Sequence, residues 1–142
     1  MLVERVKVTY GVGMSIGSVP PNDYVNCVRN VTFRQIDFST PFKAIYIKTN
    51  PGDSGSGIIE NVLYEDIYID TPIWWGTYIG PQQQEQPDGT GPGCMFYPLI
   101  KDCPTQPRVP IRDVTLRNVH TRNAILSPGI LRCNETNPCS GF

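Results

Sequence analysis

The nine residues Asn30, Val31, Thr32, Phe33, Arg34, Gln35, Ile36, Asp37 and Phe38 recur 31 positions later, from Asn61 to Ile69, and again from Asp113 to Thr121. An earlier partial copy, Val3 to Val8, lies 30 residues before the first full one. The last step is 52 residues, so about 21 residues are inserted before the third copy, and the Pro-, Gly- and Gln-rich run between Gly80 and Pro110 supplies them. A repeat of this period means a solenoid, in which each unit buries its apolar face only against its neighbours.

The spacing inside each unit selects the kind of solenoid. Val28, Val31, Phe33, Ile36 and Phe38 share no face at helical periodicity. As strand, Val31 and Phe33 share one side and Ile36 and Phe38 another, so the chain must bend between Phe33 and Ile36 to keep both pairs inside. Two short strands with a corner, repeated at a constant interval and rich in Val, Ile, Phe and Tyr, describe one coil of a parallel β-helix. A further short strand closes each coil, at Met14 to Ile16, Ala44 to Ile47, Thr77 to Ile79 and Gly129 to Leu131. Asn30, Asn61 and Asp113 take equivalent places, and the spacing predicts a structural ladder of polar side chains at one corner.

The chain of 142 residues is expected to form one domain, 1–142, with a long loop insertion at about 80–110. Lys+Arg of 12 against Asp+Glu of 13 leaves no basic excess, so nucleic acid is not the expected partner. No apolar run approaches the ~18 residues of a spanning helix, and no membrane partner is expected. The first ten residues alternate with charges and contain no signal-peptide core, so either the chain is intracellular or its true beginning lies upstream.

Cysteine usage favours the second choice. Cys94 with Cys103 and Cys133 with Cys139 would close short loops of turn residues, each clip contributing roughly 2–3 kcal/mol, and such pairs belong to an oxidising compartment. Cys27 is left over, either paired outside this sequence or a buried thiol. With no Cys-x-x-Cys pair and a single histidine, no metal site is expected. Asn30 and Asn134 begin glycosylation sequons, and Asn134, in a loop, is the better acceptor.

The segment Gly11-Val12-Gly13-Met14-Ser15-Ile16-Gly17-Ser18, followed one coil later by Tyr46-Ile47-Lys48-Thr49, resembles two signature segments of glycoside hydrolase family 28, the polygalacturonases and their relatives. In that family they read Gly-His-Gly-(Ile/Leu/Met)-Ser-Ile-Gly-Ser and Arg-Ile-Lys. The resemblance covers essentially the whole chain. It implies an all-β, right-handed parallel β-helix of about four coils, secreted and monomeric when intact, which binds galacturonan or a related acidic polysaccharide without a cofactor and hydrolyses it with inversion. Inverting hydrolysis needs a general acid and a general base ~6.5–9.5 Å apart. In the family these aspartates lie in Asn-Thr-Asp and Asp-Asp segments that precede the Gly-His-Gly. Neither segment occurs here, so the sequence reads as the C-terminal half of a longer protein, and no catalytic residue is assigned within it.

Two departures fall inside the matching segments. Val12 stands at the family's histidine, and an isopropyl group neither protonates nor hydrogen-bonds. Tyr46 stands at its arginine and cannot make the bidentate carboxylate contact of a guanidinium, though its ring offers a sugar a stacking surface. Lys48 matches the substrate-binding lysine; Lys48 and Tyr46 are therefore the candidate substrate-binding residues. His120 reads as a solvated strand residue, Glu65-Asp66 as surface charge whose neighbours point to opposite faces, and Gly52 to Gly57 as a turn. Trp74-Trp75 should alternate, with one ring inward and the other offered outward as a sugar platform. Two function classes follow: a polygalacturonase-type hydrolase whose catalytic carboxylates lie outside this chain, and a non-catalytic carbohydrate-binding or structural extracellular module. The fragment alone is expected to be inactive.

Overall fold

A computed structural model describes residues 1–52, 54–85, 93–99 and 103–142. Among these are eight strands and no helix: β1 (Leu2–Thr9), β2 (Val12–Val19), β3 (Val25–Ser39), β4 (Lys43–Thr49), β5 (Ser56–Asp70), β6 (Trp75–Pro81), β7 (Ile111–Arg122) and β8 (Ser127–Leu131). Odd strands form one parallel sheet in the order β1-β3-β5-β7, and even strands form a second in the order β2-β4-β6-β8. The chain thus passes from one sheet to the other with every strand.

The register reproduces the sequence repeat. Val6, Ile36, Ile67 and Val119 align across the odd sheet, and Ile16, Ile47, Ile79 and Leu131 across the even one. All of these but Leu131, which is exposed, pack between the sheets, where Ile36, Ile45, Ile47, Ile59 and Ile67 are fully buried. The Phe33 and Tyr64 rings stack at 4.8 Å. Tyr64 donates its hydroxyl to the Met14 backbone oxygen at 3.0 Å, which satisfies the one polar atom that this ring carries into the core.

The bend required between Phe33 and Ile36 is a single residue in the left-handed region. Gln35, Asp66 and Asn118 have φ of 55°, 55° and 51° at equivalent places, so each long strand turns without leaving its ladder. The Asn30, Asn61 and Asp113 corner does the same, with φ of 56°, 54° and 53°. Asn and Asp tolerate this region because their short side chains hydrogen-bond locally. Asn61 Nδ2 donates to Asn30 Oδ1 at 2.5 Å, and Asn118 Nδ2 to Asp66 Oδ1 at 3.0 Å. Asn61→Ala is expected to lower stability by about 1–2 kcal/mol, from the left-handed penalty plus one exposed hydrogen bond. Asn61→Gly should cost less, having no Cβ, and the two thermal midpoints check the order.

The outer face of the odd sheet is laced with charge. Glu4 pairs with Arg34, Glu60 with Arg29 and Arg112, Glu65 with Arg117, and Asp70 with Arg122. The Arg34 guanidinium holds the Glu4 carboxyl below its usual range, and the Arg122 and Asn123 hydrogen bonds do so for Asp70. Glu65 and Asp66 therefore serve adjacent rungs, one to Arg117 and one to Asn118. His120 is exposed and stacks on Tyr68 at 5.2 Å.

Cys94 and Cys103 are disulfide-bonded, as are Cys133 and Cys139. Cys27 is a free thiol, and the buried alternative is corrected: it is exposed. It lies in the stretch of β3 that pairs with β5 through Cys27 and Ile58, ahead of the first β1 partner, so no neighbouring strand covers it on that side. Asn134 is half-buried, its Nδ2 donating to Thr105 Oγ1 at 2.8 Å. Of the inserted run, residues 86–92 and 100–102 lie outside the described residues, as does Asp53 of the Gly52 to Gly57 turn.

Candidate functional site

The site lies on the outer face of the even sheet, around Tyr46. Along β4 the core takes Ile45 and Ile47, which turns Tyr46 and Lys48 outward. Tyr46 aligns with Ser15 on one side and Tyr78 on the other, and Lys48 aligns with Gly80. Tyr46, Tyr78 and Trp75 form a second apolar cluster, separate from the core, against which Trp74, Tyr97 and Ile130 pack.

A lysine that period-two reading assigns to the interior emerges on this face as well. Ala44 and Ile45 both belong to the core, so the alternation skips one residue and returns Lys43 to the side of Tyr46. Its Nζ stands 4.3 Å from the centroid of the Tyr46 ring, and Lys48 Nζ stands 5.3 Å from the same centroid. Lys43 is 1% exposed and aligns with Val12, the exposed first residue of β2. Burial and then the charge of Lys48 lower the Lys43 ammonium to about 8; burial lowers Lys48 too. Among the described residues no carboxylate pairs with either lysine.

The chain after β6 covers Tyr46. Gln83 donates its backbone N–H to the Tyr46 hydroxyl at 2.9 Å, and that hydroxyl donates to Gln84 Oε1 at 3.4 Å. Burial pushes the Tyr46 hydroxyl up to about 12, which keeps it protonated at neutral pH. Ser18 donates to Gln82 Oε1 at 2.5 Å, joining the end of β2 to the same cover. Tyr46 is thus 1% exposed, and its ring is occupied by two ammonium groups and by the edge of Tyr78 at 5.5 Å. The expectation that this ring is free to stack on a sugar is corrected accordingly.

The Trp74-Trp75 expectation is corrected as well. Neither ring enters the space between the sheets: Trp75 is buried in the outer cluster, and Trp74 is half-buried, stacked on Phe42 at 5.9 Å. The same skip of alternation explains it, since the residue after Trp75 is Gly76, which faces Thr121 with no side chain of its own.

Gly17 fixes where Lys48 stands. One extra residue in β2 shifts the register between Ile16, paired with Ile47, and Val19, paired with Thr49. Gly17 sits in this bulge with φ of 107°, and a Cβ built there would lie 2.1 Å from the Lys48 carbonyl oxygen. Lys48 reaches past it into an open hollow of about 470 Å³ shared with Gly17, Ser18, Asn26 and Cys27.

The profile of glycosyl hydrolases family 28 matches residues 1–142, the whole chain. The chain belongs to that family. It is 29% identical over 142 residues to an exopolygalacturonase of Arabidopsis thaliana, a match that covers all of this chain and 29% of that relative. The chain therefore spans less than a third of the length of the curated relative it matches. No solved structure matches it.

The β2–β4 register sets the Gly11 to Ser18 segment and Lys48 side by side on neighbouring strands. The carboxylates of β1 and β5 stand on the other sheet and are committed to arginines and asparagines there. Among the described residues no three His, Cys, Asp or Glu gather at one point to hold a metal ion. The aromatic rings and Lys43 of this face are buried, and of its two lysines only Lys48 borders an open hollow. Lys43 and Gln83 were missed from sequence. The first is hidden by the skip at Ala44-Ile45, and the second belongs to a non-repeating insertion.

Proposed function

We propose that this chain is the carboxylate-recognising portion of a secreted, monomeric polygalacturonase-type hydrolase that cleaves galacturonan with inversion, its two catalytic aspartates supplied by residues outside the 142. The fold we infer is a right-handed parallel β-helix of about four coils with one long insertion. The observation that carries the reading is Lys48, an ammonium with no carboxylate partner among the described residues, held by the family signature glycine Gly17 at the mouth of a hollow. A uronate carboxylate supplies the missing counter-charge, and such a charge-assisted contact is worth ~1.5–3 kcal/mol. Tyr46 contributes by seating the ammonium rather than by lying against the sugar. The disulfides Cys94–Cys103 and Cys133–Cys139 fit an extracellular setting.

Val12 favours a second reading, a non-catalytic binding module, because a branched alkyl group at the histidine position carries no proton. Both readings require Lys48. In the full-length protein, Lys48→Ala is expected to weaken trigalacturonate binding at least tenfold, measured calorimetrically, and unchanged affinity would dispose of both. Reducing-sugar release from polygalacturonate then separates them: turnover by the full-length protein supports the hydrolase, and binding without turnover supports the module. The 142 residues alone should release none, since losing the general acid and base removes ~10²–10⁴-fold of rate each.

A further inference from the structure

Around Tyr46 stand two buried polar atoms with no hydrogen-bond partner and one buried ammonium that rests on aromatic rings without a counter-charge. Lys43, 1% exposed, carries a positive charge with no carboxylate near it among the described residues, and its neighbour in charge is another cation, Lys48. Trp75, on the strand beside it and in register with it, is 4% exposed and leaves its Nε1 donor unpaired. Gln83, 1% exposed, leaves its Oε1 acceptor unpaired, while its backbone N–H holds the Tyr46 hydroxyl. Buried polar atoms are almost always satisfied, and a buried charge without a counter-charge is costly. A cation without a counter-charge, an unpaired donor and an unpaired acceptor in one cluster describe the complement of a ligand that carries an anion, an acceptor oxygen and a hydroxyl.

A uronate residue is such a ligand. Its carboxylate answers the ammonium, its ring or glycosidic oxygen the indole N–H, and its hydroxyl the amide oxygen. Room exists next to Gln83, which borders an open hollow of about 340 Å³ walled by Glu85, Met95, Phe96, Tyr97 and the Cys94–Cys103 disulfide; Lys43 and Trp75 lie behind this wall rather than in it. That volume is within the size range of small-ligand pockets.

We propose that Lys43 is a second carboxylate-binding cation of this site, acting with Lys48 about the Tyr46 ring, and that Trp75 Nε1 and Gln83 Oε1 receive oxygens of the same uronate. The inference rests on the galacturonan reading above and adds to it. Two ammonium groups at one ring repel until an anion lies between them, so Lys43 sharpens selection for the free acid over its methyl ester.

The test uses the full-length protein with trigalacturonate and its methyl ester as probes. Lys43→Met is expected to weaken trigalacturonate binding at least tenfold and to leave the weaker ester binding unchanged, whereas Lys43→Arg, which keeps the charge, should stay within about threefold. In the unaltered protein, the ¹³Cε resonance of Lys43 should move on adding trigalacturonate and stay in place with the ester. This measurement needs no variant to fold. A Lys43→Met affinity within twofold of the parent, or a Lys43 resonance unmoved by trigalacturonate, overturns the proposal. If Lys48→Ala still loses binding in that case, the galacturonan reading survives without it. If the unaltered protein binds no trigalacturonate, both fall together.

Discussion

Gly17→Ala should be among the most damaging single substitutions in this chain, lowering stability by about 4 kcal/mol or more and abolishing carboxylate binding with it. Two penalties combine. The backbone at φ of 107° disfavours any Cβ, at a cost of ~1–2 kcal/mol. The larger one is steric: the added carbon would meet the Lys48 carbonyl oxygen at 2.1 Å and its Cγ at 2.9 Å, and a backbone oxygen in a sheet cannot step aside. Relief requires β2 and β4 to part beside the Ile16–Ile47 pair, which is core. Gly11→Ala separates the two effects, because Gly11 also has positive φ, 85°, but nothing within 4 Å of its missing Cβ. Urea midpoints should show Gly11→Ala mildly destabilised and Gly17→Ala severely so; similar losses would mean that strain, not contact, is what Gly17 relieves.

Lys43 should make the protein more stable as the solution becomes alkaline. Its folded-state pKa of about 8 lies below the ordinary 10.5, so between these values the unfolded chain holds a proton that the folded one has released. Stability then rises by ~1.4 kcal/mol per pH unit, giving about 2–3 kcal/mol between pH 8 and pH 10. Below pH 8 the lysine is charged in both states, and the full cost of burying it is present. Above pH 10 the trend reverses, because the unfolded chain ionises the tyrosine at 46 while burial keeps its hydroxyl protonated to about 12. Lys43→Met removes the penalty and should be the more stable protein at pH 7, with a flatter profile to pH 10. Denaturation midpoints across that range check it, and a Lys43→Met variant weaker than the parent at pH 7 would show that the ammonium has a stabilising partner. A cation retained at a cost to folding is consistent with one kept for binding.

Most of the architecture was legible because a solenoid writes its geometry into the spacing of its residues. Val31, Phe33, Ile36 and Phe38 state both the strand period and the place of the bend, and the left-handed residues at 35, 66 and 118 stand where the skipped step required one. The candidate site was half legible. Lys48 followed from a signature string, but Lys43 did not, because counting by twos from Tyr46 and Lys48 sends it to the wrong face until the double inward step at Ala44-Ile45 is seen. The burial of Tyr46 was out of reach for another reason: its cover comes from Gln83 and Gln84, in an insertion that obeys no period. Cys27 was rightly left unpaired within the chain, but its buried alternative failed because burial in a stacked sheet depends on which strand lies next door.

The bond from Tyr64 to the Met14 backbone has a consequence for how such a stack comes apart. Nearest-neighbour contacts alone would let a solenoid fray from its end, one layer at a time. Tyr64 lies on β5 and Met14 on β2, with the whole of β3 and β4 between them in the chain, so the hydroxyl fastens layers that do not otherwise share a ladder. Opening the first layer breaks that bond and leaves a buried phenol in the third without its acceptor, at a cost of ~1–3 kcal/mol. Amides from β1 through β5 should accordingly open as one cooperative block, and graded loss of protection begins only beyond it.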